Sequence, residues 1–505
     1  MGQSCEKSAV AFRTVTQLAA LSKGAFLSAS AKLLSKVIGL ISTLILARLL
    51  TPSDFGVIAA VSIALYFFDV LGNVATEQYI MQKHRLRSCD LDTAWTINLL
   101  LKCFIFVLLA GTSGLIAEFL NKPEIASGLM VVSLILPLNA LKSPSLLQQK
   151  RMVRYGGIFA LSVAEKLIAF ATVISAALLL KSFWAFIIAD VSACFAGVIL
   201  SYLWFRKRPR FRVSAWRQQF TFSSWMLGKN LVGYLRSQAD TIFVSRYFAS
   251  DTLGQYHLSR ELAMMPGHYL LAPALEPILS ALRDTVKIRD YFYQQVSTAL
   301  IITLMITLPI AVFISVFSEP IALTLLGNQW STAGSLLRIL GWLVVYWGVV
   351  YVLEITLIAQ GNVKELFVFD MLTLICILSV LGYAFMTSAD IASVAFYRVI
   401  AGVGTTFLLL VIMFHRHLLV TVGVFMWALL IAGIAGLSAW IVTFVNHMFV
   451  TGNNATLYEN IFVLGGAGIC FSLLFITAIG GVLMLLKNTK TATQILSIVK
   501  ASMGR

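Results

Sequence analysis

Long apolar segments follow one another along almost the whole chain, separated by short polar loops. About 20 apolar residues are enough for an α-helix to cross the hydrocarbon of a bilayer, and the chain contains roughly fourteen windows of that kind. A spanning segment must satisfy its backbone hydrogen bonds internally, which an α-helix does. The sequence therefore predicts an all-α polytopic membrane protein with windows at approximately 25–49, 55–80, 94–118, 125–147, 157–180, 184–205, 220–247, 255–282, 292–317, 333–359, 365–386, 390–414, 419–448 and 458–486.

The charge content agrees with this class. Only 12% of the residues are charged and 59% are hydrophobic, whereas soluble domains carry about 25% charged residues. The formal net charge of +16 would suit a nucleic-acid-binding protein, but most basic residues lie in loops on one predicted side of the apolar windows. This is the positive-inside pattern of membrane proteins. We therefore predict no nucleic-acid partner, no cleavable signal peptide, and both termini in the cytoplasm.

Two stretches of the chain resemble each other. Segment 47–56 reads ARLLTPSDFG and segment 245–254 reads SRYFASDTLG, with Arg48 and Gly56 in register with Arg246 and Gly254. Each stretch follows one long apolar window and precedes another. Such internal similarity indicates a duplicated lobe, with a substrate path between the lobes.

The duplication predicts two parallel-repeat six-helix lobes around a central cavity, plus two extra C-terminal helices. The predicted bounds are a cytoplasmic N-terminal segment (1–23), an N-lobe (24–205), a basic cytoplasmic linker (206–219), a C-lobe (220–415), a final pair of spans (416–487) and a cytoplasmic tail (488–505).

The repeated motif itself has the composition of a helix start. Pro52 and Gly56 suit a tight turn that leads into a new helix, with Thr51 or Ser53 near its N-cap. We therefore predict that the motif shapes and caps helices at an outer turn. An alternative is that Arg48 and Arg246 brace an outer gate by pairing with Asp54 or Asp251.

The first motif also carries a family resemblance. The pattern Lys32-x-x-x-Lys36 followed by ARLLTPxDFG resembles the start of Wzx-type polysaccharide flippases, members of the multidrug/oligosaccharidyl-lipid/polysaccharide exporter superfamily. The resemblance implies movement of an undecaprenyl-diphosphate-linked oligosaccharide across the bacterial inner membrane by alternating access. It also implies membrane lipids and a polysaccharide polymerase or chain-length regulator as partners. The final pair of spans resembles that of lipid II flippases.

Three basic residues inside the apolar windows are candidate substrate ligands. Ionisable groups at bilayer depth are costly, so they mark functional sites by default. Lys32 and Lys36 share one helical face, and Arg236 lies in the corresponding window of the second lobe. Cationic side chains facing a cavity would bind an anionic diphosphate. The competing interpretation is that Lys32 extends its ammonium group to the interface and that Arg236 is neutralised by Asp240.

Acidic residues inside the windows are candidates for ion coupling or for salt bridges. These are Asp69, Glu77, Asp240 and Glu354. For Asp69 the favoured interpretation is a salt bridge to Lys36 on the adjacent span. Glu354 has no partner that the sequence assigns.

No catalytic, metal-binding or cofactor-binding pattern is found in the sequence. There is no P-loop, the cysteines show no metal spacing, and no soluble insertion is long enough for an active site. We therefore predict a transporter rather than an enzyme, with no cofactor and no metal. Two alternatives remain: a cation-coupled drug or metabolite exporter of the same superfamily, and a membrane glycan polymerase or ligase.

Overall fold

The computed structural model describes residues 30, 33–72, 80, 87–152, 154–213, 216–271, 275, 282, 286, 289–414, 418–449, 457–486 and 493. Every predicted apolar window contains helix among these residues, and the predicted all-α class is confirmed. Ten of the described helices are long and apolar enough to cross a membrane, or eleven if one bent pair is a single span. The count of fourteen spans stays a prediction.

The chain divides into two compact units. The first, called unit 1, comprises Met1–Tyr234 with Ser245–Asp251, and the second, unit 2, comprises Leu235–Val244 with Thr252–Arg505. This division crosses a helix instead of the basic linker, and the predicted lobe bounds remain a prediction. The helices that begin in unit 1 are α1 (33–49), α2 (Pro52–Leu71), α3 (Ser88–Phe119), α4 (Ile125–Val132), α5 (Ile135–Leu141), α6 (Ser145–Arg151), α7 (Gly156–Leu180), α8 (Trp184–Trp204) and α9 (Trp216–Tyr247).

Unit 1 is built from helices that pack against their chain neighbours. Helix α7 lies along α8, α3 contacts both α4 and α5, and α5 also contacts α8. The segment after α5 bends by 61° before α6. Pro144 contributes to the bend, because proline has no N–H to donate to the carbonyl four residues earlier and its ring clashes with that carbonyl, so the helix ends before it. Lys142, at the end of α5, has extended backbone with ψ 149°.

Unit 2 contains the remaining helices. They are α10 (Ser250–Pro266), which starts at the division and continues as a π-turn over Gly267–Leu271, α11 (Arg289–Val316), α12 (Ser318–Leu325), α13 (Ala333–Leu340), α14 (Leu343–Ala359), α15 (Val363–Met386), α16 (Ile391–Met413), α17 (Leu418–Phe449) and α18 (Leu457–Leu485). Helix α11 packs against α14 and α17, α15 packs against α16, and α18 packs against α17 and α12. The two C-terminal helices therefore pack against the rest of unit 2.

The first copy of the repeated motif forms a capped helix start. Thr51 is the N-cap of α2, with Pro52 at its first position, and the Thr51 hydroxyl accepts a hydrogen bond from the Asp54 amide at 3.3 Å. One Asp54 carboxylate oxygen accepts from the Thr51 amide and hydroxyl at 3.1 and 2.7 Å. The other accepts from the Phe183 amide at 2.9 Å. Asp54 thereby attaches the start of α2 to the loop before α8.

The double role of Asp54 predicts an order of stabilities. Thr51→Ala removes one cap and should lower the free energy of unfolding by about 1 kcal/mol. Asp54→Ala also leaves the Phe183 amide without its acceptor, so the loss should rise to about 2–3 kcal/mol. Thermal unfolding of the detergent-solubilised protein measures both. Ser53→Ala, at an exposed neighbouring position, is the control and should change stability by less than about 0.5 kcal/mol. Equal losses for Thr51→Ala and Asp54→Ala would refute the second role.

Candidate functional site: a charged cavity in each unit

Unit 1 encloses a polar cavity of about 470 Å³. Its charged side chains form two ion pairs: Lys102 Nζ lies 2.5 Å from an Asp69 oxygen, and Lys142 Nζ lies 2.8 Å from Glu165 Oε1. The cavity is also lined by Trp95, Asn98, Asn139, Lys150 and Ser162. Ionisable side chains exposed to hydrocarbon carry a high free-energy cost, so the cavity is a polar compartment within an apolar bundle.

Two local features position these pairs. Lys102 lies inside the long helix α3 and also donates to the Asp69 carbonyl oxygen at 3.1 Å. Lys142 follows the last residue of α5, where the chain leaves the helix. A Cβ built on Gly197 of α8 would collide with the Glu165 carboxylate and lie 3.0 Å from Lys142 Cε. Gly197 therefore makes room for the Lys142–Glu165 pair.

Unit 2 holds a second cavity, of about 440 Å³, lined by α9, α10, α14 and α16. Helix α9 contributes Arg236 and, one turn later, Asp240. Arg236 lines the cavity and Asp240 lies behind the lining. Both side chains are engaged by partners from other helices instead of by each other.

Arg236 is the centre of one group of charges. Its guanidinium lies 3.0 Å from Glu354 of α14 and 3.2 Å from Asp370 of α15. It also lies over the Phe369 ring, 5.9 Å from the centroid. Asp370 is 2% exposed, and a carboxylate at that depth requires a cation.

Asp240 is the centre of the other group. It is fully buried, and one of its oxygens accepts a 2.7 Å hydrogen bond from the Tyr256 hydroxyl. The same oxygen lies 3.2 Å from Arg260 and 3.6 Å from Arg398. Arg398 is itself 3% exposed and lies over the Tyr346 ring at 5.3 Å. One carboxylate thus connects α9, α10 and α16.

The structure corrects two pairings that the sequence suggested. The partner of Asp69 is Lys102 instead of Lys36, because α3 brings its lysine against the end of α2. Arg236 and Asp240 do not neutralise each other, because Glu354 and Asp370 engage the first while Arg260 and Arg398 engage the second.

The other predicted site residues have different outcomes. Glu354 acquires its partner in Arg236. Lys36 lies partly exposed on α1. Lys32 and Glu77 lie outside the described residues. Lys102 and Lys142 are not among the predicted site residues, although an isolated lysine within or at the end of an apolar run is a signal that identifies such positions.

Residues 245–251 of the second copy of the motif belong to unit 1 and contact the connection between α3 and α4. The Arg246 guanidinium lies 3.5 Å from the Glu118 carbonyl oxygen and over the Phe119 ring at 5.5 Å. Lys122 donates to the Phe248 carbonyl oxygen at 2.9 Å, and burial lowers the pKa of this lysine while Glu124 opposes the shift. These contacts are typical of a structural turn, and Gly254 is buried just beyond it in unit 2.

Among the residues that the structure describes, no group of three or more histidine, cysteine, aspartate or glutamate side chains has the geometry of a metal site. Most charged side chains that line the two cavities form ion pairs, either with each other or with carboxylates just behind the lining. Such an arrangement suits the binding of a polar molecule through hydrogen bonds in a compartment screened from hydrocarbon.

Comparison with known proteins gives a consistent result. The sequence profile of a family described as polysaccharide biosynthesis protein matches residues 45–335, more than half of the chain. The succinoglycan biosynthesis transport protein ExoT of Rhizobium meliloti (strain 1021) is 25% identical over 301 residues, 59% of this chain and 60% of that protein. The lipopolysaccharide biosynthesis protein WzxC of Escherichia coli (strain K12) is 23% identical over 328 residues, 63% of this chain and 65% of that protein. The chain thus matches less than two thirds of the length of either relative.

A solved structure extends the similarity to nearly the whole fold. The lipid II flippase MurJ in an inward closed conformation superimposes with a TM-score of 0.65 at 15% sequence identity, covering 90% of this chain and 99% of that one. At this identity the match establishes the fold.

The shared carboxylate of unit 2 yields a stability prediction. Asp240→Asn leaves two buried guanidinium groups without their anion and should lower the free energy of unfolding by about 3–5 kcal/mol. Tyr256→Phe removes only one hydrogen bond to the same carboxylate and should cost about 1.5–3 kcal/mol. Thermal unfolding in detergent compares the two. A loss no greater for Asp240→Asn than for Tyr256→Phe would show that Asp240 is not the central anion.

The close approach at Gly197 yields a second prediction. Gly197→Ala should disrupt the Lys142–Glu165 pair and lower the thermal unfolding temperature, as should Glu165→Gln. Gly114 of α3 has open space around a built Cβ, so Gly114→Ala is the matched control. That change should be neutral or stabilising by up to about 1 kcal/mol, because alanine is the better helix former. Equal behaviour of the two alanine variants would contradict the steric role of Gly197.

Proposed function

Because the chain belongs to the polysaccharide biosynthesis protein family, we propose that it transports a polyprenyl-diphosphate-linked oligosaccharide across the bacterial inner membrane by alternating access. The relatives named above as a transport protein and a lipopolysaccharide biosynthesis protein support this proposal. The observation that carries it is the pair of cavities lined with paired charges within apolar bundles. A multi-pass membrane protein retains such groups where a polar substrate passes.

The substrate has two chemically distinct polar parts, the diphosphate and the oligosaccharide, and we assign them to separate groups of residues. A diphosphate is an anion that binds most strongly to charge-assisted hydrogen-bond donors. We assign it to Lys32 and Lys36, the lysine pair that the sequence places on one helical face. Arg236 is the third predicted ligand, but its guanidinium already donates a hydrogen bond to Glu354 and lies 3.2 Å from Asp370. A diphosphate at Arg236 would have to compete with both carboxylates.

In the same proposal, the acidic residues couple substrate transport to the movement of an ion. Asp69 pairs with a lysine that is 8% exposed, and Glu354 and Asp240 pair with arginines. A coupling cation bound at Asp69 would release Lys102, which would then be available to an anionic group, whereas Arg236 would keep Asp370 if a cation neutralised Glu354. In this scheme the chain acts as a transporter without a catalytic step, with both termini in the cytoplasm.

The assignment of Lys36 is testable in cells. Lys36→Gln, in a strain that lacks the chromosomal copy, should reduce the amount of surface polysaccharide by about ten- to hundredfold, the equivalent of losing one charged hydrogen bond. Arg236→Lys, which keeps the charge but not the planar donor pair, should reduce it less than Arg236→Gln. Lys181→Gln, at an exposed position in the turn between α7 and α8, is the control for loss of one positive charge. Membrane levels of each variant are measured by immunoblot.

Two results would overturn parts of this proposal. Normal export by a correctly inserted Lys36→Gln, Arg236→Gln double variant would remove both residues from the substrate site. Normal surface polysaccharide in the deletion strain itself would refute the transport function.

A further inference from the structure

Aromatic side chains form a stripe along the wall of the unit 2 cavity. Trp347, Tyr351 and Glu354 occur at spacings of four and three residues on α14 and all line the cavity, so they share one helical face. The Trp347 and Tyr351 rings are stacked, with centroids 5.2 Å apart and planes 18° apart. We call these two rings the aromatic ledge. Both are partly exposed, whereas most of their neighbours on α14 are buried.

The aromatic ledge is held in place from the π-turn that follows α10. The His268 ring meets Trp347 edge-on, with centroids 5.1 Å apart and planes 88° apart. A Cβ built on Gly267 would lie 3.2 Å from Trp347 Cε3, so the absence of a side chain there leaves room for the indole. A ring fixed in this way loses little conformational entropy when a ligand binds to it.

The position of the aromatic ledge along its span excludes a role in anchoring the helix at a membrane interface. Tryptophan and tyrosine concentrate at the two membrane interfaces. At a rise of 1.5 Å per residue, Trp347 lies about 20 Å from Ala333 and about 18 Å from Ala359, the ends of the span formed by α13 and α14. The ledge is therefore near the middle of the span, where an interfacial role does not apply.

Hydrogen-bonding groups surround the ledge without leaving an excess of positive charge. The cavity cations Arg236, Arg260 and Arg398 are each ion-paired. Glu261 and Gln238 add an acceptor and an amide to the wall. Among the described residues, His257 Nδ1 is buried and has no hydrogen-bond partner. A buried polar atom in that state favours a ligand that supplies the missing hydrogen bond.

The cavity presents an aromatic surface next to hydrogen-bonding groups. A ligand that fits it must therefore have an apolar face and a polar edge. The face of an aromatic ring carries negative charge density, which attracts weakly positive C–H hydrogens. A pyranose ring presents C–H bonds on one face and hydroxyl groups around its rim. Those hydroxyls match the carboxylates, amide and imidazole of the wall.

We propose that the aromatic ledge of Trp347 and Tyr351 is a saccharide-stacking subsite, on which one pyranose ring of the transported oligosaccharide stacks while Glu261 and His257 bond its hydroxyl groups. The proposal rests on the transport function proposed above and adds the residues that recognise the sugar. The cavity volume of about 440 Å³ lies within the range of small-molecule sites.

The test compares variants that separate ring stacking from packing. Trp347→Leu keeps an apolar side chain without a π-face, and Trp347→Phe keeps a π-face. The control is Trp440→Leu, because Trp440 stacks on Phe444 at 5.8 Å in the exposed helix α17, away from the cavity. The probe is the soluble repeat-unit oligosaccharide, released by mild acid from the host's lipid-linked precursor. Saturation-transfer NMR on the purified full-length protein measures its affinity, and inorganic pyrophosphate serves as a second probe.

Trp347→Leu should bind the oligosaccharide at least about tenfold more weakly than the unaltered protein, whereas Trp347→Phe should stay within about threefold. Trp440→Leu should be unchanged, and none of the three should alter pyrophosphate binding. If Trp347→Leu does not fold, Tyr351→Leu provides the same comparison.

Three results would overturn the subsite: full oligosaccharide affinity in Trp347→Leu, equal losses in Trp347→Leu and Trp347→Phe, or no oligosaccharide binding by the unaltered protein. Failure of the proposed transport function would give a different set of results from failure of the subsite. In that case the deletion strain would export polysaccharide normally, while the Trp347→Leu protein would still bind the oligosaccharide weakly.

Discussion

The compensation of charge within apolar helices is the constraint on which the rest of the structure depends. Asp240 is fully buried, and a bare carboxylate there would be prohibitively costly. Arg260 and Arg398 supply the compensating charge, and in doing so they fix α10 and α16 against α9. Replacing a buried ion pair by apolar residues is often harmless, whereas removing one partner is not. The charges therefore specify which helices are neighbours more than they add net stability.

The two units meet this constraint with different chemistry. Unit 1 uses lysines, whose compact ammonium groups contact Asp69 and Glu165 singly. Unit 2 uses arginines, whose planar guanidinium groups reach two partners at once, as Arg236 does with Glu354 and Asp370. Arginine stays protonated under all physiological conditions. A change in the charge of the arginine–carboxylate pairs must therefore come from the carboxylates or from a bound molecule.

The sequence predicted the helices better than the contacts between them. Apolar windows identify spans because hydrocarbon imposes a length and excludes free backbone groups. The same windows hid the break at Lys142, since the bend depends on Pro144 within an apolar run. The spacing of Arg236 and Asp240 showed that they share a helical face. It could not show that four other helices bring oppositely charged partners to that face, because most of those partners are more than 100 residues away along the chain.

Charge pairing also decides which part of a lipid-linked glycan each group of residues can hold. A diphosphate at Arg236 would displace Glu354 and Asp370, and the free energy of those two contacts would be subtracted from its binding. A neutral sugar hydroxyl can bond the outer lone pairs of Glu354, which lines the cavity, while both ion pairs stay intact. The unit 2 cavity is therefore better matched to hydroxyl groups than to phosphate. Its aromatic ledge, which forms no ion pair, contributes affinity through contact alone, so a sugar can bind and leave without rearranging the charges that hold the unit together.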